Sequence, residues 1–283
     1  MRTSAEMFTL FHSMAASDER IRVMTLEGSR VNPGITPDVW QDYDITFLVT
    51  EVESFRKSDD WLAAFGDIVL MQQPEAMELF PPDFPAGWFS YLMLFSDGVK
   101  IDLTLVPVTD IRNYLSQDPL IQVLLDKDGI CPELPPPSDE RFWVQRPGAA
   151  FVRDCANEFL FVSTYVAKGL LRGELLFANW HFEQILRVEL HRMLGYLAGV
   201  RNHFPLNTGK HDKWLPQFLS VQERAELFET YRLESIESCW NALSAAMQLF
   251  TDAMREVCDS LAYEVPLDTE KVKRYIETLR HLI

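Results

Sequence analysis

Residues 132–137 hold four prolines, and the chain changes character across them. Proline lacks an amide donor and fixes φ, so such a run extends neither a helix nor a central strand. Before it, short alternating runs mix with helical spacings. From about Ala149 onward, apolar residues recur at three and four, and β-branched runs are few. The pattern predicts an α+β chain in two domains. Residues 1–134 are expected to form a mixed sheet with helices, and residues 135–283 an all-helical domain. In the helical half Phe159, Val162, Val166 and Leu170 make one apolar stripe. Ile185, Val188, Leu190 and Leu194 make a second, and Trp240, Leu243, Met247, Phe250 and Met254 a third.

The first half divides more finely. Thr3 and Glu6 have capping-box spacing and open a helix carrying Met7, Leu10, Phe11 and Met14. Strands are predicted over residues 21–26, 45–49 and 68–71. Asp97-Gly98 separates the runs 90–95 and 100–106, a hairpin signal. Short helices are predicted at 61–65, around Leu115, and over 120–125. Residues 74–89 are proline-rich and read as irregular.

Charge narrows the partners. The net charge is −16, from 42 acidic and 26 basic residues. Binding to nucleic acid needs a basic surface, and an anionic membrane would repel this chain, so neither is expected as a partner. A cationic small molecule is attracted; acidity also serves solubility. The four cysteines form no C-x-x-C pair, and are read as free thiols of a cytoplasmic protein. The polar start Met1-Arg2-Thr3-Ser4 is no secretion signal, and no apolar run approaches the roughly 20 residues of a membrane span. A monomer is expected.

Three features carry chemistry. Asp42 and Asp44 flank Tyr43 at the mouth of the second strand, where residues two apart face the same way. Two carboxylates so close repel unless a cation lies between them, and Mg2+ prefers such oxygen ligands together with phosphate oxygens. Alone, D-x-D also describes a solvated acidic loop. Asp102 stands in the otherwise apolar strand Ile101-Asp102-Leu103-Thr104-Leu105, a place where aspartate is disfavoured. Gly28-Ser29 directly follows the first strand; glycine admits a phosphate close to the backbone, and serine can donate to it. An isolated Gly-Ser is otherwise an ordinary turn. Neither a Walker loop nor a dinucleotide fingerprint is present.

Strand–Gly-Ser, strand–D-x-D and a later strand with a third aspartate resemble the nucleotidyltransferase superfamily. That superfamily includes DNA polymerase beta, the CCA-adding enzymes and the antibiotic nucleotidyltransferases. Several longer stretches are similar to the aminoglycoside 6-adenylyltransferases, the streptomycin adenylyltransferases. These are Thr25-Leu26-Glu27-Gly28-Ser29-Arg30, Gln41-Asp42-Tyr43-Asp44-Ile45, Met77-Glu78-Leu79-Phe80-Pro81-Pro82, Tyr91-Leu92-Met93-Leu94-Phe95 and Lys100-Ile101-Asp102-Leu103-Thr104-Leu105. Lys168-Gly169-Leu170-Leu171-Arg172 and Thr208-Gly209-Lys210-His211-Asp212-Lys213-Trp214 extend the resemblance into the helical half.

The resemblance implies a polymerase-beta-like catalytic domain and AMP transfer from ATP to a hydroxyl, expected at position 6, of a streptomycin-type aminoglycoside. It implies a two-metal mechanism, with Asp42, Asp44 and Asp102 as metal ligands and Asp102 serving the acceptor hydroxyl as base. Gly28, Ser29 and Arg30 would hold phosphates, as would Lys168 and Lys210 of the helical domain, which completes the cleft. Lys213 ranks below Lys210, and His211 reads as a solvated loop residue. For a cationic acceptor, Glu78, Trp88, Trp180 and Glu183 are the candidate carboxylates and aromatic faces, although core packing is the ordinary use of a tryptophan. The alternatives are another acceptor (a different aminoglycoside, a lincosamide or a protein hydroxyl) and a non-catalytic nucleotide-binding partner.

Overall fold

The computed structural model describes residues 1–80 and 84–281; Pro81 and Pro82 of the Glu-Leu-Phe-Pro-Pro stretch lie outside the described residues. The chain forms two compact units, Met1–Asp139 and Glu140–Ile283.

Unit 1 opens with α1 (Ser4–Ser17). Thr3 caps it: its hydroxyl accepts from the Glu6 amide while the Glu6 carboxylate accepts from the Thr3 amide. Then follow β1 (Ile21–Glu27), β2 (Tyr43–Val49), the short α2 (Glu53–Arg56), β3 (Ile68–Gln72), β4 (Phe89–Phe95), β5 (Lys100–Pro107), α3 (Ile111–Gln117) and β6 (Ile121–Asp126). The sheet order is β3-β4-β5-β2-β1-β6, and only β2 and β5 run parallel among the described pairs.

Alternation gives the sheet two unlike faces. Met24, Leu26, Tyr43, Ile45, Phe47, Tyr91, Met93, Ile101, Leu103 and Leu105 point to one side, where Met7 and Phe11 of α1 and Phe65 cover them. Phe11 and Phe65 are fully buried, each worth about 2–3 kcal/mol of transfer free energy. The opposite face carries Thr25, Thr46, Thr104 and Ser90 in one register row, then Val23, Leu48 and Val106. Trp88 and Tyr114 pack on those last three. A bulge between Ile21 and Val23 reverses the parity of β1, which is why Ile21 joins the first face although Val23 joins the second.

One expectation is corrected here. Residues 120–125 are not a helix: Ile121–Asp126 form β6, an edge strand antiparallel to β1. The apolar run is too short for its period to separate helix from strand, and the open edge of β1 decides the matter.

Unit 2 is helical: α4 (Ala149–Leu171), α5 (Leu175–His181), a π-turn over Phe182–Leu186, α6 (Arg187–Asn202), α7 (Val221–Glu229), α8 (Ile236–Leu261) and α9 (Thr269–Arg280). The first and third stripes are buried along α4 and α8, and Phe159 stacks on Phe250 with ring centroids 3.9 Å apart. In the second stripe Val188 is instead exposed. The π-turn adds a residue to one turn and shifts the phase, so Leu186, Leu190 and Leu194 face inward in its place. All four cysteines are free, and three are buried. Among the described residues no helix is long and apolar enough to cross a membrane.

Candidate active site

The site grows from the polar face of the sheet. Glu27 ends β1, Asp44 lies one residue into β2, and Asp102 is the third residue of β5. Glu27 is the register partner of Asp44, and Asp44 the register partner of Asp102. Three carboxylates therefore stand side by side on adjacent strands. Parallel pairing of β2 and β5 is what brings Asp44 and Asp102 to the same sheet end. Asp42 stands just before β2.

The loop after β1 is built around the same carboxylates. Gly28 adopts φ +68°, and a Cβ placed there would stand 2.5 Å from Asp44 Oδ2. Glycine is required twice over, by the left-handed backbone and by the approach of the carboxylate. The Gly28 amide donates to the Leu120 carbonyl, and a 3-10 turn runs over Gly28–Arg30. The Ser29 hydroxyl makes no hydrogen bond among the described residues, while the Ser29 carbonyl accepts from Gln41 at 3.2 Å.

Electrostatics at this corner favour a cation. Burial, followed by the negative charges of Asp102, Glu27 and Asp42, pushes the Asp44 carboxyl up to about 7, with Lys100 pulling the other way. Burial also raises Glu27, although Thr46 and Tyr114 both donate to its Oε1. Lys100 Nζ donates to Asp42 Oδ2 at 2.9 Å and to both carboxylate oxygens of Asp102 at 2.7 Å. The ammonium thus bonds two of the four carboxylates gathered here, and a divalent cation would relieve the crowding of the rest.

No three His, Cys, Asp or Glu side chains among the described residues are already gathered to hold a metal ion. The three expected ligands share a face but not a ready-made cage, because bare carboxylates repel and the ammonium of Lys100 separates two of them. In residue type and position, they still fit a hard, oxygen-preferring cation.

Other expected site residues fall into two groups. Arg30 does not point free toward a ligand. Its guanidinium donates to the carbonyls of Asp42 at 2.8 Å and Gln41 at 2.6 Å and lies 3.6 Å above the Tyr43 ring. It holds the loop that carries Asp42. Trp88 is buried at 5% exposure, its indole donating to Asp110 at 2.7 Å, so it packs the core and offers no open face. Glu183 accepts both forks of the buried Arg187 at 2.8 Å, and Arg187 also donates to the hydroxyl and carbonyl of Thr230. That carboxylate is committed to the packing of unit 2. For Trp88, size had already pointed to packing; for Glu183, the arginine four residues on was the overlooked signal.

Glu78 and Trp180 are exposed. Lys168 is exposed on α4, its Nζ 6.0 Å from the Tyr165 ring centre, and Lys210 is exposed in a short 3-10 turn. Lys213 and His211 are exposed as well. In that loop Asp212 is the anchored member: burial pushes its carboxyl up, but hydrogen bonds from His191 and Thr208 outweigh this and hold it low. Two residues of the site itself, Glu27 and Lys100, were not singled out from sequence. Glu27 stands at even spacing from no other site residue on its strand, but Lys100 lies two before Asp102 on β5. That period-2 relation was the available signal.

Comparison with known proteins agrees along the full length. Residues 1–279 match the family described as streptomycin adenylyltransferase. The aminoglycoside 6-adenylyltransferase of Bacillus subtilis strain 168 is 44% identical over 278 residues, covering 98% of this chain and 98% of that protein. The aminoglycoside 6-adenylyltransferase of Campylobacter jejuni is 43% identical over 276 residues, covering 98% and 95%. A crystal structure of an aminoglycoside 6-adenyltransferase from Bacillus subtilis spans 99% of both chains at 40% identity, with a TM-score of 0.49. The match over nearly every residue places this enzyme in the streptomycin adenylyltransferase family.

Proposed function

We propose that this enzyme transfers AMP from ATP to a hydroxyl, at position 6, of a streptomycin-type aminoglycoside, and so confers resistance to it. The observation that carries the reading is the row Glu27, Asp44 and Asp102 across three neighbouring strands, with Gly28 packed against it. Asp42, Asp44 and Asp102 would hold Mg2+, which when bound neutralises charge on the transferring phosphate. Gly28 and Ser29 receive the phosphates, the serine with an uncommitted hydroxyl. Arg30 supports them at one remove by fixing the Asp42 loop.

In the transfer, the acceptor oxygen forms a bond to the α-phosphorus. The bond from that phosphorus to the bridging oxygen breaks, and pyrophosphate leaves with the electron pair. The hydroxyl proton passes to Asp102, the base on the open face of β5. For the cationic acceptor, unit 1 offers a cavity of about 350 Å³ lined by Asp38, Trp40, Asp42 and Lys100. Trp40 is 79% exposed and presents a ring face suited to a guanidinium. Glu78 and Trp180 remain open to an acceptor, whereas Trp88 and Glu183 do not.

The test is pyrophosphate release from ATP and Mg2+, with streptomycin, with other aminoglycosides and with a lincosamide. Release with streptomycin alone supports the reading down to the acceptor class. Release with a different acceptor keeps the chemistry and moves the substrate. No release from folded protein with any acceptor overturns the reading in favour of a nucleotide-binding partner.

A further inference from the structure

We propose that Lys100 is a resident counter-ion of the aspartate cluster, which gives way to an arriving divalent cation and then faces the nucleotide's phosphates, so that metal and nucleotide bind as a coupled pair. The inference rests on the nucleotidyl-transfer reading above. Lys100 Nζ lies 2.9 Å from Asp42 and 2.7 Å from each oxygen of Asp102, so one ammonium satisfies two of the three carboxylates assigned to the cation. The spacing is built into β5: Lys100 and Asp102 are two apart and share a face.

Lysine suits this use better than arginine. Its ammonium is a compact point charge on a flexible stem, not a fixed planar fork. The Lys100 side chain is 37% exposed and lines the cavity of about 350 Å³ beside Gln41 and Asp42, so it has room to swing. A monovalent ammonium and a divalent ion cannot both sit at bonding distance from the same carboxylates without strong repulsion. Lys100 therefore opposes metal binding while the nucleotide is absent. The nucleotide brings several negative charges, and the displaced ammonium gains a partner there instead of losing one. The same side chain then opposes the metal alone and favours the metal with nucleotide, which is a coupling between two ligands.

The experiment is calorimetric titration of the full chain with Mn2+, first alone and then with saturating α,β-methylene-ATP, which cannot be cleaved at the reacting bond. Wild type is compared with Lys100→Met, Lys100→Gln and Lys100→Arg, each checked by melting temperature. The two neutral variants are expected to bind Mn2+ alone at least tenfold more tightly. The gain in Mn2+ affinity produced by the nucleotide should shrink by a similar factor. Lys100→Arg keeps the charge and should leave Mn2+ alone bound as weakly as in wild type or more weakly. If Lys100→Met melts early, Lys100→Gln carries the measurement. Unchanged or weaker Mn2+ affinity in a folded neutral variant overturns the proposal alone. No Mn2+ binding by wild type or any variant overturns the metal-site reading, and the proposal with it.

Discussion

Gly28 and Asp44 are packed so closely that a single methyl group on the first would stand 2.5 Å from a carboxylate oxygen of the second. Gly28→Ala must therefore push Asp44 aside, and it adds left-handed backbone strain of about 1–2 kcal/mol. Pyrophosphate release is expected to fall at least tenfold while the melting temperature drops only a few degrees. Native turnover in Gly28→Ala would show that the loop does not depend on this packing.

On the proposed mechanism, Asp102→Asn removes a metal ligand and a base at once while keeping the size of the side chain. Transfer should fall by on the order of a thousandfold. Thermal melting should shift by only a few degrees, because relief of the crowded carboxylate row is set against the loss of charge pairing with Lys100. A variant that melts normally and still turns over would remove Asp102 from the chemistry.

Tyr114 donates to the buried Glu27 carboxylate and contacts the Thr25 hydroxyl. Tyr114→Phe leaves a buried acceptor short of a donor, a cost of about 1–3 kcal/mol. Urea denaturation should show that loss. Glu27→Gln keeps an acceptor oxygen for both Thr46 and Tyr114, and should unfold near the wild-type midpoint. Equal midpoints for Tyr114→Phe and wild type would mean that the phenol is idle.

The Arg201 fork, together with the Ser220 cap, holds the Glu223 carboxyl down to about 2, against an ordinary 4.5. Its folded pKa is depressed, so its stabilising contribution is full above about 4.5 and disappears as pH falls toward 2. Denaturation midpoints of wild type and Glu223→Gln should differ most at pH 6, differ less at pH 3, and converge only as the pH falls below about 2. A constant difference across that range would show that the pair is not what titrates.

Local rules made much of the fold legible. The Thr3–Glu6 box starts α1 as expected, Asp97-Gly98 turns the hairpin, and the stripes on α4 and α8 are the core of unit 2. What failed was decided by neighbours. Ile121 to Leu125 became a strand because β1 needed a partner, and Val188 turned outward because a π-turn intervened. The strand placement of Asp44 and Asp102 was readable, since polar residues interrupt apolar alternation. Arg30, Trp88 and Glu183 have side chains of the right chemistry that are spent on carbonyls, Asp110 and Arg187. For Arg30 and Trp88 spacing cannot reveal the commitment, because Gln41, Asp42 and Asp110 come from other parts of the chain, whereas the i,i+4 spacing of Glu183 and Arg187 did signal theirs.

The parallel pairing of β2 with β5 has a consequence for how the protein comes to work. A hairpin such as β4–β5 closes locally, but parallel neighbours need a long crossover, here the stretch that carries α2, β3 and β4. Non-local pairings of this kind close late, after the loop entropy has been overcome. Asp44 and Asp102 therefore come together only once that whole crossover has closed. A chain in which the crossover is open carries both aspartates and yet has not assembled the carboxylate row.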